Sequence, residues 1–213
     1  FLARVYEASR VMPDVLSGER EAEYAYAAAT NGVGGLIDIG GASMQLVTAD
    51  FRRSYPIGCV RGRDIALTAT GCRDCDDDFP RQREAIGAHI DGLTAGPGAL
   101  PVNGTMLPAI GVGGTITTLG ALAQGLNVYD KSRVHGRELT RTKLEELIAV
   151  LRALGANRRN HPLLRVRHDV ILYGAAILAK AMDLNGIEKL TVSTRDGIEG
   201  YLEAAKARAA AEN

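Results

Sequence analysis

Two stretches of this chain end an apolar segment in a run of small residues: "LIDIGGAS" over 36–43 and "AIGVGGT" over 109–115. Glycines at such a place leave backbone N–H groups open to a close oxyanion, with no Cβ in the way. The second stretch runs straight into a helical pattern, whose N-terminus adds partial positive charge. Gly40, Gly41, Gly113 and Gly114 are therefore candidates to cradle phosphates, with Ser43 and Thr115 offering hydroxyls to the oxygens. Asp38 stands at a predicted strand end, where a carboxylate can hold a hard cation such as Mg²⁺, directly or through water. The plain alternative is that each glycine cluster is only a turn, the commonest use of such residues.

The elements around these loops can be read from pattern. Residues 1–16 close in "PDVLS", which reads as a short strand, and Ser17 can cap a helix over "GEREAEYAYAAAT", with acids in its first turn. Asn31-Gly32 ends that helix. "GLIDIG", "MQLVTA" and "RRSYPIG" predict three antiparallel strands. "DDDFPRQREAIGAHIDGL" is a charged loop entering a helix, "MLPAIGVGG" an apolar strand, and "TITTLGALAQGL" a helix directly after it. "TKLE" reads as a capping box with Thr142 as cap and Glu145 returning the bond. Leu144, Leu147, Ile148, Leu151 and Leu154 follow at helical spacing and are core. A basic connector, "ANRRNHPLLRVRH", leads to a helix with Ile171, Ala175, Leu178 and Met182 on one face. "KLTVST" is a further strand, and a helix over Ile198 to Ala210 follows it. The alternation predicts an α/β fold, a mixed sheet covered by helices.

Bulk properties exclude some classes of function. The 213 residues are 46% hydrophobic and 23% charged, an ordinary globular composition, and Lys plus Arg equals Asp plus Glu. No global field favours nucleic acid or an anionic membrane, so any anion site is local. No apolar run reaches the ~18 residues that span a bilayer. The first residue is Phe1, which reads as a piece of something longer. Three cysteines are no disulfide framework, and a reducing cytoplasm is the default expectation.

The motifs as a set resemble the exopolyphosphatase and guanosine pentaphosphate phosphatase (Ppx/GppA) family. "LIDIGGASMQL" is similar to that family's "DIGGGSTEL", and "GVGGTITTLGAL" to its second glycine loop. "SGEREA" resembles "SGxEEA", and "SYPIGCVRG" resembles "slplGavRL". The late "LYGAAIL" and "VSTRDGIEGYL" match more loosely. The resemblance implies an RNase H-like lobe of the actin-like and sugar-kinase superfamily, with an antiparallel three-strand meander. It implies one domain over 1–213, the C-terminal lobe of a two-lobe phosphatase. In that reading a lead-in strand and helix occupy 1–31, and the core over 32–213 carries a helical insertion at about 138–168. It implies release of terminal phosphate from polyphosphate or guanosine pentaphosphate with Mg²⁺. Glu21 of "SGEREA" is then the base, Asp38 the metal position and Arg61 a phosphate-facing cation. An N-terminal lobe and a second copy of the chain are the implied partners.

The departures matter as much. Ala42 replaces the family's third glycine and fits if its φ is negative. Met44 replaces a threonine. Gln45 replaces a glutamate: it can orient water, but it has no charge to hold Mg²⁺ or take a proton. The resemblance therefore leaves two outcomes, a working phosphatase or a catalytically weak phosphate-binding module. An ATP-dependent kinase of the same superfamily fits less well, because "SGEREA" points to the phosphatases. The arginine of the family's C-terminal "GLREG" has no match in "DGIEG", although Arg195 is near. Outside these motifs, Cys72 and Cys75 in "CRDC" lack the second pair that zinc needs and read as a reduced surface loop. Arg158, Arg159, Arg165 and Arg167 form either a solvated face or a guide for a polyanion. His135 reads as structural.

Overall fold

The protein is described by a computed structural model that covers residues 1–72, 78–101 and 104–211. Helix α1 (Leu2–Ser9) buries none of its residues and ends at Arg10, whose φ of 59° is left-handed. The expected strand at "PDVLS", residues 13–17, does not form. A strand needs a neighbour for its backbone groups, and here Val11, Met12 and Val15 stand exposed with none. Helix α2 (Gly18–Thr30) begins as expected: Ser17 accepts from the amide of Arg20, Glu19 and Glu21 occupy the first turn, and Asn31 closes it at φ 52°.

The sheet follows the anticipated meander. β1 (Gly35–Ile39), β2 (Met44–Val47) and β3 (Arg52–Tyr55) pair antiparallel. Helices α3 (Cys59–Thr70) and α4 (Phe79–Thr94) precede β4 (Ala109–Val112), which feeds α5 (Gly113–Ala123) without a break. Then come α6 (Lys131–Val134), β5 (Arg137–Thr140), α7 (Arg141–Leu154), α8 (Ile171–Leu184), β6 (Lys189–Val192) and α9 (Gly197–Ala211). The strand order is β3-β2-β1-β4-β6-β5, with β1, β4 and β6 parallel. Their C-terminal ends therefore meet along one edge of the sheet, the place where open α/β sheets bind ligands.

Two features depart from the pattern reading. The segment from about 138, expected as a helical insertion, opens with β5, an edge strand paired to β6. The cap of α7 is Thr140, which accepts from Lys143, and not Thr142. The chain must turn at Thr140 because that residue is the last to pair with β6. Glu145 instead bridges Arg83 and Arg141.

Period two along the strands sorts the two cores. Ile37, Ile39, Met44 and Leu46 face the larger one, under α3, α4, α5, α7 and α8. Leu36, Val47 and Val112 face the smaller one with Ala22, Ala25 and Tyr26 of α2. Asp38 lies two residues after Leu36, so it belongs to the α2 face of the sheet.

Candidate active site

The strand register brings the first residues together. Asp38 on β1 and Gln45 on β2 are cross-strand partners, and both face α2. Above them, the first turn of α2 carries Glu21. Gln45 is almost wholly buried, and its side-chain amide donates to Glu21 Oε2 at 3.4 Å and to Ser43 Oγ at 3.1 Å. Burial pushes the Asp38 carboxyl up to about 7, and the nearby charges of Glu21 and Asp196 push the same way. Asp196 opens α9: its Oδ1 accepts from the amide of Ile198 at 2.9 Å. Gly197 packs on Glu21, so that a Cβ there would sit 3.7 Å from Glu21 Cγ. Asp196 was missed by sequence reasoning, because its nearness to Asp38 depends on where β6 ends, not on spacing.

The first glycine loop has its carbonyls committed. Gly40 O accepts from Cys59 N at 2.9 Å and Gly41 O accepts from Val60 N at 2.9 Å, so the loop caps the N-terminus of α3. The amides of Gly41 and Ala42 donate no hydrogen bond among the described residues, and both residues are exposed. Ala42 is not among the residues of positive φ, so alanine fits the bend without strain. A Cβ on Gly41 would meet only Val60, at an ordinary 3.5 Å. The fold itself therefore does not demand glycine at 41; open access to its amide is what the small residue provides.

The second loop differs. Gly113 has φ +86°, and a Cβ there would lie 2.4 Å from Asp38 Oδ1, so the loop rests on that carboxylate. Gly114 is covered by Arg167: a Cβ at 114 would lie 2.2 Å from Arg167 Nη2. Among the described residues the Arg167 guanidinium makes no hydrogen bond or ion pair. It lies beside the first turn of α5, where helix N–H groups are also unbonded. Two positive features thus share one space. Thr115, expected to offer its hydroxyl, is buried, and its methyl lies 2.6 Å from where a Cβ on Gly174 of α8 would be. Its side chain is turned toward α8, hydroxyl included.

Arg61 lies in the first turn of α3 and its amide reaches Gly41 O at 3.4 Å, while its side chain is exposed. It stands by the first loop, and Arg167 stands by the second. Sequence reasoning had Arg167 only as one member of a basic run, with nothing to single it out. His135 is structural: its Nδ1 accepts from the amide of Thr194 at 3.2 Å. Cys72 is disulfide-bonded, which departs from the reduced loop expected. Cys75 lies outside the described residues.

A hard cation suits this donor set. Asp38, Glu21 and Asp196 are oxygen donors; burial and then the charges of Glu21 and Asp196 raise the Asp38 carboxyl, and a divalent charge relieves that repulsion. Among the described residues no three acidic, histidine or cysteine side chains gather closely enough to form a full protein cage. Mg²⁺ does not need one, since it takes one or two carboxylates and completes its shell with water and phosphate oxygens. Also among the described residues, no helix is long and apolar enough to cross a membrane.

Comparison with known proteins agrees with the geometry. The profile of the Ppx/GppA phosphatase family matches residues 1–204. Exopolyphosphatase 2 of Mycobacterium tuberculosis is 30% identical over 209 residues, which cover 88% of this chain. The chain spans 62% of that relative's length. A crystal structure of an Aquifex aeolicus Ppx/GppA family member superposes with a TM-score of 0.73 at 26% identity, over 97% of this chain and 68% of that one. An exopolyphosphatase from Cytophaga hutchinsonii shares the fold, with a TM-score of 0.72 at 18% identity, over 96% of this chain and 68% of that one.

Proposed function

Because the chain belongs to the Ppx/GppA phosphatase family, we propose that it is the C-terminal lobe of a two-lobe enzyme that hydrolyses terminal phosphoanhydride bonds. The observation that carries this reading is the meeting of Glu21, Asp38 and Gln45 at the strand edge where both glycine loops begin. Polyphosphate is the favoured substrate, supported by the 30% identity to an exopolyphosphatase.

In this mechanism the amides of Gly41 and Ala42, the first turn of α5 and the Arg167 guanidinium bind and orient the phosphates. Such preorganised donors stabilise charge as it builds on the transferred group. Glu21, on the exposed first turn of α2, takes the proton of a water aimed in line at the terminal phosphorus. Gln45 fixes the Glu21 carboxylate and, through its amide, the direction of that water. Asp38 would hold Mg²⁺, directly or through water, which when bound supplies positive charge to the phosphate oxygens.

A second reading is favoured by one contact. The amide of Gln45 occupies an oxygen of the proposed base, where the family motif has a glutamate. In that reading the chain is a phosphate-binding module with little turnover.

The test is phosphate release from polyphosphate and from guanosine pentaphosphate by the full-length protein that carries this chain, with Mg²⁺, repeated with Glu21→Ala and Gln45→Glu. Release abolished by Glu21→Ala supports the enzyme. Tight binding with no release, restored by Gln45→Glu, supports the module. Release that survives Glu21→Ala removes that residue as base, and preference for the nucleotide reverses the choice of substrate.

A further inference from the structure

We propose that Arg158 is a positioning residue for Arg167, a role that rests on the phosphate-binding reading of the second glycine loop. Arg158 lies beneath the connector between α7 and α8 and is 7% exposed. A charged side chain is costly to bury unless its donors are used, and here they are used on backbone. Nε donates to the carbonyl of His168 at 2.9 Å, and Nη1 donates to the carbonyl of Leu151 at 2.9 Å. Leu151 belongs to the end of α7, where a cation also suits the helix dipole. His168 is the residue directly after Arg167. One planar fork thus ties the end of α7 to the backbone that presents the Arg167 guanidinium.

The rest of the connector is held from other sides. The amide of Arg167 donates to Leu164 O at 2.8 Å, and its carbonyl accepts from Val170 at 3.1 Å and Ile171 at 2.9 Å. Asp169 forms an ion pair with Arg63 of α3 at 2.5 Å. Arg158 supplies the inner anchor among these. The geometry calls for a guanidinium, because two carbonyls are met by two different nitrogens of one rigid group. A lysine keeps the charge but cannot span both. Arg158 acts through Arg167 and not on phosphate: it lies under the connector, whereas Arg167 reaches over Gly114.

A double-mutant cycle tests this, with tripolyphosphate as probe and calorimetric affinity on the full-length protein. The variants are Arg158→Lys, Arg167→Ala and both together, each checked for its thermal midpoint. Arg158→Lys is expected to weaken binding about tenfold in the otherwise native protein, and by less than about twofold where Arg167 is already alanine. An unchanged affinity for Arg158→Lys, or an equal loss in both backgrounds, overturns the proposal. If the lysine variant does not fold, Arg158→Gln, which leaves no lone buried charge, takes its place in the cycle with the same criteria. Native affinity in Arg167→Ala is a different failure: it overturns the phosphate reading of the second loop and the positioning role with it.

Discussion

Asp38 and Gln45 stand directly opposite each other on adjacent antiparallel strands, on the sheet face that α2 covers. One is an acid pushed toward neutrality and the other a neutral amide. Gln45→Glu would place a further buried carboxylate among Glu21 and Asp38. The expected outcome is a loss of about 1–3 kcal/mol of stability without metal, largely recovered on adding Mg²⁺. Thermal unfolding with and without Mg²⁺ measures both parts.

The Asp38 carboxyl also predicts a pH dependence. Its folded value, about 7, lies above its ordinary value of 3.8. Below 3.8 the acid is protonated in both states and its neutral form suits the buried place. Between 3.8 and about 7 the unfolded chain releases the proton while the folded chain keeps it, so this contribution to stability is lost as pH rises. Asp38→Asn removes that dependence. Urea midpoints of the metal-free protein at pH 5 and pH 7.5 should therefore lie closer together in the variant, by an amount on the order of a few kcal/mol when converted to stability.

The two glycine loops predict opposite phenotypes. Gly113→Ala meets both a left-handed backbone and the Asp38 carboxylate at 2.4 Å. It should lower stability by about 2 kcal/mol or more, read as a drop in thermal midpoint.

Gly41→Ala meets only ordinary contact with Val60. Its thermal midpoint should stay within about 1 °C of native, while affinity for tripolyphosphate falls because a methyl shields the open amide. Equal damage to stability by both substitutions would falsify the view that the first loop's glycines serve access.

Glu21→Ala should cost about 100-fold or more in phosphate release with tripolyphosphate affinity changed far less. Separate measurement of turnover and binding distinguishes this from a loss of structure.

Much of this was legible in the sequence because it was local. The meander, both glycine bends and the Ser17 cap are each written in short, continuous stretches, where period, turn chemistry and capping act directly. What escaped depends on partners far along the chain. Arg167 reaches Gly114 only because α8 and its connector pack over α5. Helix α3 was hidden by β-branched residues and by Gly62, whose missing side chain leaves room for Ile177 of α8. β5 is polar and exposed along most of its length, so only its ladder with β6 makes it a strand. Conversely, "PDVLS" at 13–17 looked like a strand and lacks a ladder altogether.

The seating of Gly197 against Glu21 ties the site to α9. Both glycine bends and the α2 acid precede Asp196 in the chain. A nascent chain stopped at β6 would display the bends without the last acid beside Asp38. Asp38 would then lack one of the neighbouring charges that raise its carboxyl, and completion of the site would coincide with docking of α9.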